Sequence, residues 1–153
     1  MKALRNKNGM AYVLTCVIVL TAMMMVSVLF QYRHVYSVID TQRDAAQTQL
    51  DSVVMKSAVE NYDALKQGCN YQTFIDYVKL EQDAYAALGF SETDTEALEE
   101  DIYTVNRPQI TTITEGGFGL TVTYDVVIPF EVLGQTYGEI TVPITLTSKF
   151  TEK

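Results

Sequence analysis

The chain has 153 residues, a single histidine, two cysteines and a net charge of −8. This length suits one small domain behind an N-terminal segment and leaves little room for a second domain. Because Lys2, Arg5 and Lys7 stand ahead of the first apolar run, the rest of the chain carries −11, the −8 of the whole less these three positive charges. Such an acidic excess disfavours nucleic-acid binding.

The first element is an apolar run from Met10 to Phe30 that contains no charged residue. At helical rise it extends about 30 Å, the hydrocarbon thickness of a bilayer. A cleaved secretory signal would have a shorter apolar core and a small-x-small cleavage site, and a buried core helix would rarely be so long without charge. The sequence therefore predicts a single transmembrane helix over residues 10–32.

The charges around this run predict its orientation in the cell membrane. Basic residues precede the run, whereas only Arg33 follows it closely, and cations favour the cytoplasmic side. We therefore expect residues 1–9 to form a basic cytoplasmic leader and residues 33–153 to form an extracellular domain. The apolar run itself makes membrane lipid an expected partner.

Helical periodicity continues beyond the apolar run. It predicts a helix over 33–67, continuous with the anchor, and a second, short helix over 71–89. Asn70 or Thr73 suits the start of the second helix, and Gly89 suits its end. The first helix is expected to bury a stripe formed by Val35, Ile39, Ala46, Leu50, Val53, Val54, Ala58, Tyr62 and Leu65.

An acidic segment, residues 91–101 (SETDTEALEED), follows the second helix. Its Ser and Thr residues with acids close behind predict a brief acidic helix or turn. A Ca²⁺ site is the alternative, but the Asp-x-Asp-x-Asp-Gly pattern is missing and runs of acids are usually solvated.

Past residue 101 the apolar period changes to two residues, which predicts strands over 102–150. The alternation is strong in Phe118–Phe130 and Ile140–Leu146 and weaker in Tyr103–Ile113. These segments predict an antiparallel sheet of three or four strands. A small sheet needs cover for its apolar face, and the amphipathic helix over 33–67 is available. The expected fold class is α+β.

Glycine and proline mark the ends of these strands. Glu115-Gly116-Gly117 predicts a hairpin turn, and Leu133-Gly134-Gln135 predicts a second reversal. Pro108, Pro129 and Pro143 lack a backbone donor, so they are expected at edges, strand ends or bulges.

Residues that could carry chemistry are few. The sequence has no His or Cys cluster with metal-ligand spacing and no phosphate-binding or nucleophile motif, so we predict no enzyme, cofactor or metal. His34 lies where the helix leaves the bilayer, and its position favours an interfacial anchor. Cys69 is a candidate intermolecular thiol, with a small buried hydrophobe as the alternative.

The leader and the apolar helix carry a family resemblance. Lys7-Asn8-Gly9 followed by Met10-Ala11-Tyr12-Val13 looks like a prepilin leader, and the chain resembles pilin-like proteins. In particular it is similar to the TadE-like minor pilins of tight-adherence (Tad) pili and to related conjugative-element proteins of Gram-positive bacteria. In that family the tail often reads as a Pro-containing strand, a Gly turn and a Thr-rich final strand, much as Ile128-Pro129-Phe130 to Ile140-Thr141-Val142 does here.

The resemblance implies a non-enzymatic structural or assembly component of a Tad, type IV pilus-like or secretion-related surface apparatus. It implies cleavage between Gly9 and Met10 by a prepilin peptidase, and packing against other pilin-like subunits through the apolar helix. The chain departs from the family at Leu14, where many pilins carry a glutamate five residues after the cleaved bond. A single-pass protein whose external domain binds a partner without forming a filament is the alternative.

Overall fold

A computed structural model of the protein describes residues 7–67, 74–91, 97–99, 102–132 and 135–151. The helices are α1 (Lys7–Glu60), α2 (Tyr62–Lys66) and α3 (Tyr77–Ala87). The strands are β1 (Leu98–Glu99), β2 (Thr104–Val105), β3 (Gln109–Ile113), β4 (Phe118–Val132) and β5 (Gln135–Phe150). The fold is α+β, as predicted, with a long apolar N-terminal helix packed on an antiparallel sheet.

Helix α1 is continuous over 54 residues, because neither proline nor a further glycine interrupts it after Gly9. Its second half buries most of the predicted stripe: Val35, Ala46, Leu50, Val53, Val54 and Ala58 are buried and Ile39 is partly buried. Tyr62 was expected in the stripe but is 60% exposed. The helix ends at Glu60 and Asn61 lies in a turn, so Tyr62 leaves the stripe.

Helix α3 begins at Tyr77, later than the predicted start at residue 71, because Asp76 is its N-cap. The Asp76 carboxylate accepts hydrogen bonds from the backbone N–H groups of Val78 and Lys79, each at 3.1 Å. The predicted caps Asn70 and Thr73 lie outside the described residues. At the other end Gly89 has φ +84° and the Phe90 N–H donates to the Tyr85 carbonyl, which closes the helix where predicted.

Two ion pairs join α3 to the distal end of α1. Lys56 Nζ lies 2.9 Å from Asp83 Oδ2, and Lys79 Nζ lies 3.0 Å from Glu60 Oε2. The hydrogen bond to Glu60 is the main reason that the pKa of Lys79 is raised. All four side chains are solvent-accessible, so these pairs orient α3 more than they stabilise the fold.

The sheet is four strands wide. Strand β4 is central and pairs antiparallel with β5 along one edge. Along its other edge β4 pairs first with β3, through Gly119–Thr123, and then with β2, through Val126–Val127. Pro108 lies between β2 and β3 and cannot donate to a ladder, which explains why the weak predicted strand is split in two.

Strand β1 pairs with β2 and forms the outermost strand of the sheet. The acidic segment was predicted to be a helix or turn, but its described part, Leu98–Glu99, is this strand. Pairing to an existing strand edge overrides the local preference of so short a segment. Residues 92–96, 100 and 101 lie outside the described part of the chain.

The core lies between α1 and one face of the sheet. Strand β4 alternates as predicted, and every second residue from Phe118 to Ile128 is buried against α1 or α3. Strand β5 adds Ile144 and Leu146 to this core. The opposite face carries threonines in register, Thr121 with Thr147 and Thr123 with Thr145, with hydroxyl oxygens 3.4 Å apart in each pair.

The predicted first hairpin turn is present. Gly116 has φ +64° and Gly117 has φ +141°, a backbone conformation that side chains rarely adopt. Of the second reversal, Leu133 and Gly134 lie outside the described residues, while Val132 and Gln135 on either side pair with each other. Pro143 lies in β5, whose second edge carries no strand among the described residues, as expected for proline.

Candidate membrane-spanning and helix-packing surface

The first half of α1 carries no part of the domain. Every residue from Met10 to Val26 is exposed, and Ser27 is the first partly buried residue after them. Gln31 and Val35 then follow at intervals of one turn, on the face that meets the sheet. By length and composition α1 is the one described helix able to cross a membrane, and its apolar window is not buried by the rest of the protein.

The two threonine hydroxyls within this bare segment are satisfied inside the helix. The Thr15 hydroxyl donates to the Ala11 carbonyl at 2.9 Å, and the Thr21 hydroxyl donates to the Val17 carbonyl at 2.8 Å. Intrahelical bonds of this kind remove the penalty for placing a hydroxyl in hydrocarbon. The segment can therefore face lipid, or another apolar helix, around its whole circumference.

The predicted leader boundary lies inside α1. The Gly9–Met10 bond lies within α1, and the Met10 side chain is 66% exposed. Leu14, at the position of the pilin glutamate, is also exposed.

Of the two cysteines, Cys16 alone lies among the described residues. Cys16 is a free, exposed residue in the bare half of α1. Cys69, the candidate intermolecular thiol, lies outside the described residues. Met23, Met24 and Met25 point outward around the helix, as expected for residues that face lipid or helix neighbours rather than a common ligand.

His34 lies where α1 meets the β4–β5 hairpin. Its side chain is exposed, and it lines a cavity of about 250 Å³ together with Gln31, Ile128, Pro129 and Glu131. Among the described residues, this open cavity brings His34 together with one carboxylate, that of Glu131. The position agrees with an anchor at the end of the apolar run.

A polar cleft lies between α1 and α3 at the other end of the domain. It has a volume of about 260 Å³ and is lined by Ser57, Glu60, Asn61, Phe74, Asp76, Lys79, Leu80 and Asp83. Most of the charged side chains that line the cleft take part in the two ion pairs described above. Among the described residues, no group of three His, Cys, Asp or Glu side chains could hold a metal ion.

Comparison of the chain with models of known protein families, with curated proteins and with solved structures finds no match.

Sequence reasoning missed two features of this surface. The first is the contact of the domain with α1 as early as Gln31, within the span predicted over residues 10–32. The second is a β-bulge in the β4–β5 hairpin, where Phe130 pairs with Gly138 and Glu131 pairs with Thr136, leaving Tyr137 without an opposite residue. Uniform alternation cannot reveal a bulge, because one extra residue shifts the pattern without a distinctive residue type.

Proposed function

We propose that the protein is a pilin-like, membrane-anchored structural or assembly component of a Tad or type IV pilus-like surface apparatus, similar to TadE-like minor pilins. The observation that supports this most directly is the division of α1 into two halves. One half is apolar and exposed, and the other half continues the same helix and packs one face against the antiparallel sheet. A rigid rod of this kind presents a helix surface to its neighbours at a fixed position relative to the domain.

The bare half of α1 carries the proposed packing with other pilin-like subunits. Lipid tails are as apolar as this helix, so association depends on close side-chain packing rather than on the hydrophobic effect. No described part of the domain covers residues 10–26, which leaves that surface free for neighbours first in the membrane and then in a filament. Lys2, Arg5 and Lys7 favour a cytoplasmic N-terminus, so the acidic domain is proposed to lie outside the cell.

The proposed role is non-enzymatic. The only histidine, His34, lines an open cavity in which the described residues include one carboxylate, Glu131, and no nucleophile. The charged side chains that line the polar cleft between α1 and α3 are already engaged, since Lys79 pairs with Glu60, Asp83 pairs with Lys56 and Asp76 caps α3. The net charge also argues against nucleic acid as a partner.

A prepilin peptidase that cuts after Gly9 is part of this proposal. Mass spectrometry of the protein from its native membrane should then show the loss of residues 1–9. A Gly9→Leu variant should keep its full N-terminus, since the resemblance assigns the cleaved bond to this glycine. An intact wild-type N-terminus would contradict processing.

One observation favours a second candidate, a single-pass protein whose extracellular domain binds a partner without forming a filament. Leu14 replaces the glutamate that, in the resembling family, is thought to pair with the N-terminal amine of a neighbouring subunit inside the filament. Within the pilin-like proposal, the lack of this pair favours a minor or assembly role over that of a major filament subunit. Retention of residues 1–9 would favour the second candidate.

A further inference from the structure

The β4–β5 hairpin points toward the bare half of α1. Near the start of β5, Pro129 and Glu131 on β4 line the same cavity as Gln31 and His34. Toward the end of β5, the Gln47 side-chain amide donates to the Thr147 carbonyl at 3.3 Å. Strand β5 therefore runs in the same direction as α1, and its first residues lie at the end of the domain nearest the apolar segment.

The length of the bare segment fixes how far the domain stands from a membrane. The apolar run of α1, from Met10 to Phe30, extends about 30 Å, which equals the hydrocarbon thickness of a bilayer. Gln31, directly after this run, already lines a cavity with Ile128 and Pro129 of the domain. No length of free helix is left to hold the domain above the surface, so its proximal end lies at the depth of the lipid headgroups.

Exposed apolar and aromatic side chains occur at this proximal end. Tyr32 and Tyr36 on α1 are 64% and 58% exposed, and Tyr137 on the hairpin is 67% exposed. Ile102, at the start of the β2 edge and beside Pro129, is also exposed. The bulge frees Tyr137 from the regular pairing of β5 and directs its side chain to the outside.

We propose that the membrane-proximal end of the β4–β5 hairpin, centred on Tyr137, is a second membrane contact that lies in the outer headgroup region. Tyrosine is favoured there because its ring is apolar and its hydroxyl remains hydrated. Glu131 and Glu139 flank Tyr137, and Arg33 is the nearest cation along α1, so the contact suits neutral or zwitterionic headgroups rather than anionic ones. The domain would then be held at two points, which limits its tilt about α1. This inference rests on the membrane-spanning role of α1.

The chain contains no tryptophan, so single tryptophans report depth without background. Three full-length variants form the experiment: Tyr137→Trp at the hairpin, Thr147→Trp ten residues farther along β5, and Ile18→Trp in the bare helix. All three side chains replaced are exposed, so the fold should be preserved. Each variant is reconstituted into phosphatidylcholine vesicles whose lipids carry bromine quenchers either near the glycerol or near the chain ends.

We expect Tyr137→Trp to lose fluorescence with shallow bromines and to emit at shorter wavelength than Thr147→Trp, which should not be quenched. Ile18→Trp should be quenched by deep bromines. An unquenched Tyr137→Trp beside a quenched Ile18→Trp would overturn the hairpin contact and leave the membrane span intact. Equal quenching at Tyr137→Trp and Thr147→Trp would also overturn it, because the domain would then lie flat. Loss of quenching at Ile18→Trp would contradict the span itself.

Discussion

Tyr124 is the residue whose environment departs most from that of an ordinary surface tyrosine. Its side chain is 4% exposed in the core, and its hydroxyl has no hydrogen-bond partner among the described residues. Burial raises the pKa of Tyr124 to about 12, with a smaller contribution from Tyr103 and an opposing one from Arg43. The buried ring stabilises the core, while burial of a hydroxyl without a partner costs about 1–3 kcal/mol.

This shift predicts a loss of stability in alkali. In the unfolded chain Tyr124 ionises near pH 10, whereas in the folded protein it stays neutral until about pH 12. Below pH 10 neither state is ionised, so the folded state loses stability only between these two pH values, by on the order of 2 kcal/mol. Urea titrations of the full chain in detergent, followed by circular dichroism, should show this loss.

Tyr124→Phe is the matched control for that experiment. At neutral pH we expect the variant to be at least as stable as the wild type, by up to about 1–3 kcal/mol, since the lost hydroxyl is buried without a partner. Between pH 10 and 12 the variant should become increasingly more stable than the wild type. A constant difference between the two proteins across this pH range would show that Tyr124 ionises normally in the folded state.

At the scale of single elements, the β3–β4 turn depends on glycine at one position. Gly117 has φ +141°, and a methyl group added there would meet the Phe150 carbonyl oxygen and the Lys149 side chain. We therefore expect Gly117→Ala to lower the free energy of unfolding by about 1–3 kcal/mol, through strain and a close contact. Urea unfolding of the full chain measures this change.

Gly138→Ala on the neighbouring strand is the control, because nothing lies within 4 Å of the added methyl group. Its stability should remain within about 0.5 kcal/mol of the wild type. Equal losses in the two variants would mean that the turn at Gly116-Gly117 does not have the described geometry.

The elements that sequence could predict are those with a long, regular pattern. Alternation over β4 and the helical stripe of α1 both persist over many residues, so their buried faces were predictable. The start of α3 was predicted too early, because Asp76 competes with earlier polar residues for the cap and the sequence does not rank them. Strand β1 was missed because two residues carry no period, and only their pairing with β2 defines the strand.

The candidate surface was predictable in part for the same reason. The bare apolar helix has a compositional signal 21 residues long, from Met10 to Phe30, and the structure gives it as one uncovered helix. The contact at Gln31 and the bulge at Tyr137 depend instead on where the hairpin ends relative to α1. The position of the hairpin end along α1 is set by the tertiary packing of β4 on α1, and no local residue pattern encodes it.

At the scale of the whole molecule, the chain consists of an apolar rod and an acidic domain fixed to its distal half. The rod is bare over a length that matches a bilayer, and the remainder carries a charge of −11, from −8 for the whole less the three cations before the run. The charge favours solubility of the domain, whereas the apolar half of the rod requires lipid or other helices around it. The central claim is that other helices pack against it.

Disulfide scanning of the bare half of α1 tests that claim most directly. Single cysteines are placed at each position from Met10 to Val26 in a Cys16→Ser, Cys69→Ser background, and native membranes are then oxidised. A disulfide forms only if the neighbouring helix also carries a cysteine. Adducts are therefore measured first between two copies of each variant, and then between each variant and a co-assembled pilin-like subunit that carries its own single cysteine. We predict covalent adducts that recur every three or four positions, which marks one packed helix face. Absence of adducts at every position in both scans would contradict helix packing and leave α1 as a solitary membrane anchor.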